Sequence, residues 1–142
     1  MDWCESANAE AINPTIHQSI NPFLTMEVQA IMKNVRMSAQ KMREVVRQIQ
    51  GLPAEQAQAI LAVVPRKGAR FVAKTLQSAI ANAEDLKTHK KEYSDMATDR
   101  LRIKEAIAQT ASTLRRFTPK ARGSAGPILK RNCHIKIVLT DV

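Results

Sequence analysis

The amino-acid sequence predicts an α+β fold: three helices packed on a small antiparallel sheet, with a long protruding β-hairpin. Three observations carry this. Apolar residues recur at helical spacing in three stretches between Ser38 and Asp85. They alternate at strand spacing in 27–35, 101–109 and 133–139. Between the last two of these runs lies a segment that holds turn residues and no acid.

In EVQAIMKNV, residues 27–35, Val28, Ala30 and Met32 fall on one side of a short strand. Ser38 is placed to cap a first helix, in which Met42, Val45, Val46 and Ile49 sit at i, i+3, i+4 and i+7 before Gly51 ends the pattern. Arg43 and Arg47 occupy the opposite face, with Lys41 on the flank. A second helix begins at Pro53, a favourable first-turn residue, and repeats the spacing through Ala57, Ile60, Leu61 and Val64 until Pro65. The third and longest spans about Arg66 to Asp85: Val72, Leu76, Ile80 and Ala83 form its stripe, and Arg66, Arg70 and Lys74 lie well around the helix from it. Ala79, Ala81 and Ala83 permit close approach of a neighbouring element. Residues 86–98 mix both charges without a period and read as a loop. Leu101, Ile103 and Ile107 alternate in the next strand, and Cys133, Ile135, Ile137 and Leu139 in the last.

Composition bounds the function. The chain has 142 residues, one domain's worth, with 22 Lys and Arg against 13 Asp and Glu and a formal charge of +9. A hydrophobic fraction of 44% is enough apolar surface to order a core, so this is no disordered basic tail. The excess charge points to a polyanionic partner. It is also uneven: residues 27–142 hold all 22 bases but only 10 of the acids, giving +12 for that part. The working domain is therefore 27–142. Residues 1–26, with Pro14, Pro22 and no period, read as a flexible extension, and Met26 could itself start translation.

Several classes are excluded. No run approaches the roughly 18 apolar residues of a membrane span. The N-terminus has neither the basic and apolar regions of a signal peptide nor the Arg-rich character of a transit peptide. Cys4 and Cys133, at opposite ends, form neither a zinc framework nor a disulfide scaffold, which fits a reducing, cytosolic setting. His17 and His89 have no ligand partners nearby in sequence, and Cys133 reads as packing before nucleophile. Glu84 and Asp85 are adjacent on a helix end and diverge, so they make no acid/base pair. No phosphate-binding glycine loop, nucleophile elbow or zinc-protease motif occurs. No enzyme, metal or cofactor is indicated.

The strongest signal is the stretch from Leu114 to Lys136. It holds seven bases, Arg115, Arg116, Lys120, Arg122, Lys130, Arg131 and Lys136, and no acid, with Pro119, Gly123, Gly126 and Pro127 as turn or breaker residues. If the flanking strands keep pairing outward from about 107 to about 133, each arm of the hairpin reaches roughly 40 Å at ~3.3 Å per residue. A two-stranded ribbon is marginal alone in water, but a polyanion screens its charge and can bury Leu114, Phe117 and Ile128. A disordered basic loop is the bland alternative.

Four segments in register carry a family resemblance: VRMSAQKMREVVRQIQG at 35–51, KTLQSAIANAED at 74–85, TLRRFTPKARGSA at 113–125 and ILKRNCHIKIVL at 128–139. Residues 30–142 resemble the L twenty-two family of bacterial and organellar large-subunit ribosomal proteins. The resemblance implies a structural constituent of the large subunit, not an enzyme. It would bind large-subunit rRNA across several domains, support subunit assembly, and sit in the cytoplasm as one copy per ribosome beside neighbouring large-subunit proteins.

On this resemblance the body lies near the exit of the nascent-peptide tunnel, and the hairpin tip lines the tunnel wall and meets the nascent polypeptide. The matching tip is Leu114, Arg115, Arg116, Phe117, Thr118, Pro119, Lys120, Ala121, Arg122 and Gly123. Candidate rRNA-binding residues are Arg36, Lys41, Arg43, Arg47, Arg66, Lys67, Arg70, Lys74, Arg115, Arg116, Lys120, Arg122, Lys130, Arg131 and His134. Any single helix arginine is either solvated or RNA-bound, and His134 either touches RNA or is a satisfied sheet residue. Where the family commonly continues with further charges after RRFTPKARG, this chain has Ser124, Ala125, Gly126 and Pro127. A free-standing nucleic-acid chaperone using the same basic arm is the alternative reading.

Overall fold

Ile137 marks the centre of the sheet, flanked by Ala30 on one neighbouring strand and Ala106 on the other. The structure, a computed structural model, describes residues 27–89 and 100–141. The extension 1–26, Cys4, His17 and the expected loop from residue 90 onward lie outside the described residues. The elements are β1 (Glu27–Val35), α1 (Ala39–Ile49), α2 (Ala54–Val63), α3 (Lys67–His89), β2 (Leu101–Thr110), β3 (Leu114–Pro119), β4 (Ala125–Lys130) and β5 (Cys133–Asp141). Strands β1, β5 and β2 form an antiparallel sheet in that order, and β3 pairs with β4 in a separate two-stranded ladder. This is the expected α+β architecture with its hairpin.

The helices exist because each buries an apolar stripe. Met42, Val45 and Ile49 of α1 and Val72, Leu76 and Ala79 of α3 are fully buried, and they close one core with Ile103 of β2 and Ile135, Ile137 and Leu139 of β5. Gly68 admits the close approach of α1 and α3: a Cβ there would lie 3.3 Å from Met42 Sδ and 3.4 Å from Val45 Cγ2. Gly51, at φ 79°, takes the left-handed conformation that ends the α1 segment.

Four details depart from the sequence expectation. Helix α3 continues through His89, so residues 86–89 are helical and not loop; half-buried Leu86 extends the stripe one turn beyond Ala83. In β2 the register shifts between Ile103 and Glu105, which exchanges the faces of the residues after it. Ala106 and Ala108 are consequently buried, and Ile107, expected inside, is only half-buried. The neighbouring segment locks this irregularity, with Gly51 N donating to Ile103 O and Ile103 N to Leu52 O, both at 3.0 Å. In α2, Ala57 and Leu61 are buried as expected, whereas Ile60 lies exposed at 36% because the helix packs mainly on α3. Finally, Ser38 holds the N-cap position of α1, but its side chain makes no cap hydrogen bond.

Candidate nucleic-acid interface

The basic residues divide among three places. On the helical body, Lys41, Arg43 and Arg47 of α1 and Lys67, Arg70 and Lys74 of α3 are exposed, as are Arg36 in the β1–α1 connection and Arg66 just before α3. They are not equally free. Arg66, just before α3, forms an ion pair with Glu44 of α1. Arg43 Nε donates to Ala108 O at 3.0 Å, which ties α1 to β2 and leaves only the terminal guanidinium nitrogens for a ligand. Arg66, Lys67 and Arg70 line an open groove between α2 and α3 together with Leu61 and Val64.

The second group belongs to the hairpin arm. Arg115, Arg116, Lys120, Arg122 and Lys130 are all exposed on β3, β4 and their turn. The ladder runs from Leu114 opposite Lys130 to Pro119 opposite Ala125. A short 3-10 turn at Ala121–Gly123 then closes the end, with Arg122 at φ 56° and Gly123 at φ 71°. Lys120 N donates to Ser124 O at 2.7 Å across that turn, and the stem of Lys120 lies over Gly126, where a Cβ would come within 2.8 Å of its Cε. Of the ten residues named as the tip, Pro119 to Gly123 form the far end, and Leu114 stands at the near end of the ladder. Apolar side chains are exposed here too: Phe117 at 77%, Leu129 at 48% and Ile128 at 38%. Cations interleaved with exposed apolar groups suit a ligand that offers both phosphates and flat apolar faces.

The third place is the root of the arm. Pairing does not run continuously from about 107 to about 133 as expected; the two ladders are interrupted at 111–113 and 131–132. Asn132 is the reason. Its backbone O accepts from Ala111 N at 3.1 Å, and its Nδ2 donates to Ser112 O at 2.9 Å, a side-chain bond in place of the next rung. Arg131 and Arg43 both line an open groove of about 620 Å³ beside the first turn of α1. His134, half-buried in β5, accepts at Nδ1 a hydrogen bond of 3.0 Å from the backbone N–H of Asn34. The imidazole proton therefore sits on Nε2, which remains a donor. Asn34 itself stands at φ 57°, beside the irregularity in the β1–β5 pairing between Met32 and Val35.

Among the described residues Lys136 is the one arm-proximal base that is paired, with Glu105 Oε2 at 3.5 Å. Between Glu105 and Asp141 the chain has no carboxylate at all, so the arm carries no internal neutralisation. Asn132, Ser112 and the N-terminus of α1 were not legible as site features, since their association is made by tertiary contact. Among the described residues no cluster of His, Cys, Asp and Glu is arranged to hold a metal ion, and none of the helices is long and apolar enough to cross a membrane.

Similarity to known proteins agrees with this geometry. A family model described as ribosomal protein L22p/L17e matches residues 30–140. Over 116 residues, 82% of this chain, the sequence is 48% identical to the large ribosomal subunit protein uL22 of Opitutus terrae and covers 96% of it. The same protein of Akkermansia muciniphila is 45% identical over 82% of this chain and 97% of its own length. That of Methylacidiphilum infernorum is 46% identical, over 82% and 96%. A basic α+β body with an acid-free arm, matched over most of its length by these relatives, belongs to the ribosomal protein L22p/L17e family, a family of ribosomal proteins and not of enzymes.

Proposed function

We propose that the chain is a structural constituent of the large ribosomal subunit that binds large-subunit rRNA, supports subunit assembly and lines the nascent-peptide exit tunnel with the end of its hairpin. The observation that carries this is the arm: five exposed bases on β3, β4 and the turn, without one acid, projecting from a body that does not need them for its core. Arg115, Arg116, Lys120 and Arg122 would neutralise phosphates of separate rRNA segments, and guanidinium groups would also stack on bases. Phe117, Ile128 and Leu129 would be buried among bases and sugars, which offsets the cost of ordering a ribbon that is marginal by itself. The far end, Pro119 to Gly123, would face the tunnel and the passing nascent polypeptide. The body, with Arg36, Lys41, Arg47, Lys67, Arg70, Lys74 and His134 outward, would seat on rRNA beside neighbouring large-subunit proteins, as one copy per ribosome in the cytoplasm.

Salt dependence tests the reading. Binding of the full chain to large-subunit rRNA should weaken steeply with added salt. Replacing Arg115, Arg116, Lys120 and Arg122 by Gln should flatten the slope of log affinity against log salt by about 3, at ~0.7 to 0.9 per phosphate contact. An affinity indifferent to salt, or a slope unchanged in that variant, would refute phosphate neutralisation by the arm. Sedimentation adds a second check: nearly all cellular copies should travel with the large subunit, whereas a substantial free pool would favour a free-standing RNA chaperone.

A further inference from the structure

The groove at the arm's root has the chemistry of a seat for one nucleotide. Six residues suffice to define it: Ser38, Gln40, Arg43, Thr113, Arg131 and Asn132. On one side stands the N-terminus of α1. Its first intrahelical bond is Met42 N to Ser38 O at 3.1 Å, so the N–H groups of Ala39, Gln40 and Lys41 have no partner within the helix. Ser38 does not cap them, and the first turn contains no acid. The uncapped N-terminus of this eleven-residue helix attracts an anion through these donors and the helix dipole. Arg131 and Arg43 line the same space, and no acid among the described residues lines it.

A second, independent feature demands a donor. Asn132 is 93% buried, being 7% exposed. Its Nδ2 is committed to Ser112 O, which orients the amide and leaves Oδ1 without any donor among the described residues. A buried acceptor left unmatched is costly, of order 1–3 kcal/mol. Oδ1 cannot bind a phosphate, because both are acceptors. It matches a hydroxyl or an amino group carried by whatever brings the phosphate.

We propose that this groove binds a single ribonucleotide of rRNA, its phosphate on the α1 N-terminus between Arg43 and Arg131 and its ribose 2′-hydroxyl donating to Asn132 Oδ1. The inference rests on the RNA-binding reading above and makes it specific, because a 2′-hydroxyl is the group that separates RNA from DNA. Oδ1 is enclosed in the free chain, so the sugar enters as residues 111–113 yield. That segment belongs to neither ladder, and Asn132 holds it through the bonds to Ala111 and Ser112. Seating the nucleotide therefore also sets the direction in which the arm leaves the body.

Interference mapping on the full chain tests this. Large-subunit rRNA is transcribed with 2′-deoxynucleotides scattered at low density, and the bound fraction is sequenced for positions where a missing hydroxyl excludes binding. The expected result is a set of penalised positions, one of which loses about tenfold, the size of one hydrogen bond, through Asn132. That penalty should vanish in Asn132→Ala while penalties elsewhere persist. If every penalty survives in Asn132→Ala, the assignment is overturned. Because Asn132→Ala also cuts the bond to Ser112, the exposed Arg131→Gln provides a second measurement. It should lower the salt slope by about 1 and leave the hydroxyl penalty in place; an unchanged slope overturns the phosphate half of the assignment. Failure of the native chain to bind rRNA at all would sink the parent reading as well, whereas binding indifferent to both substitutions sinks this inference alone.

Discussion

Cys133 and Asn132 are neighbours in the chain and opposite in what they reveal. Cys133 is fully buried in β5, and burial pushes its thiol above the ordinary value of 9.0 because the thiolate is the form that desolvation penalises. The folded state thus holds this proton more tightly than the unfolded chain does. The corresponding stability is complete below the ordinary thiol value and is lost as pH rises from there towards the raised one. Near pH 8, Cys133 of the folded chain should resist alkylation by iodoacetamide for hours and react readily in denaturant, as read by mass spectrometry of the peptide that contains it. Comparable rates in both states would show that the start of β5 is open to solvent. Its packing role was legible from alternation with Ile135 and Ile137, since period-2 burial is a local pattern. The role of Asn132 was not, because its partner Ser112 lies 20 positions away and sequence spacing carries no trace of that bond. Arg43 shows the same limit: the helical period put it on the cationic face, but only the approach of β2 gives its Nε the carbonyl of Ala108.

Elements were legible wherever a single period ran unbroken, and the departures occur where a neighbour breaks it. In β2 the outward pairing of Ile103 with Gly51 and Leu52 forces the register shift, so the residues beyond it change face. Alternation in the sequence therefore locates the strand, but the shift puts Ile107 out of phase with Leu101 and Ile103. In β1 a comparable irregularity places Asn34 at φ 57°, a left-handed conformation that Asn tolerates and β-branched residues do not. That conformation aims the Asn34 N–H at His134 Nδ1 and fixes the imidazole's tautomer. Asn34→Val should cost about 1–2 kcal/mol of folding stability, measured by urea unfolding. Asn34→Gly, which has no Cβ to clash, should stay close to the parent. Equal effects from the two substitutions would mean that the strain is not backbone strain. The resemblance in the four motif segments supplied the hairpin's place in the fold, but the break at its root depends on a side chain replacing a rung, which no motif spells out.

At the scale of the whole molecule, body and arm are separate structures joined at Asn132. The buried core takes residues up to Ala108 and resumes at Cys133, so nothing between them contributes to it. The arm's ladder contains only six residue pairs and exposes Phe117, Ile128 and Leu129, and a ribbon of that kind has little stability of its own. The body should therefore fold without it. Replacing Leu114–Lys130 by a short glycine turn should leave the melting temperature within about 4–8 °C of the parent, the shift expected for a change of no more than ~1 kcal/mol. The same deletion should lower the slope of log affinity for rRNA against log salt by about 4, because five bases leave with the arm. Amide exchange gives the complementary measurement in the intact free chain: amides of β3 and β4 should exchange orders of magnitude faster than those of β5, which is buried and paired on both edges. Slow exchange in β3 and β4, or loss of cooperative melting on deletion, would show that the arm is held by the body itself and is not left for an RNA partner to order.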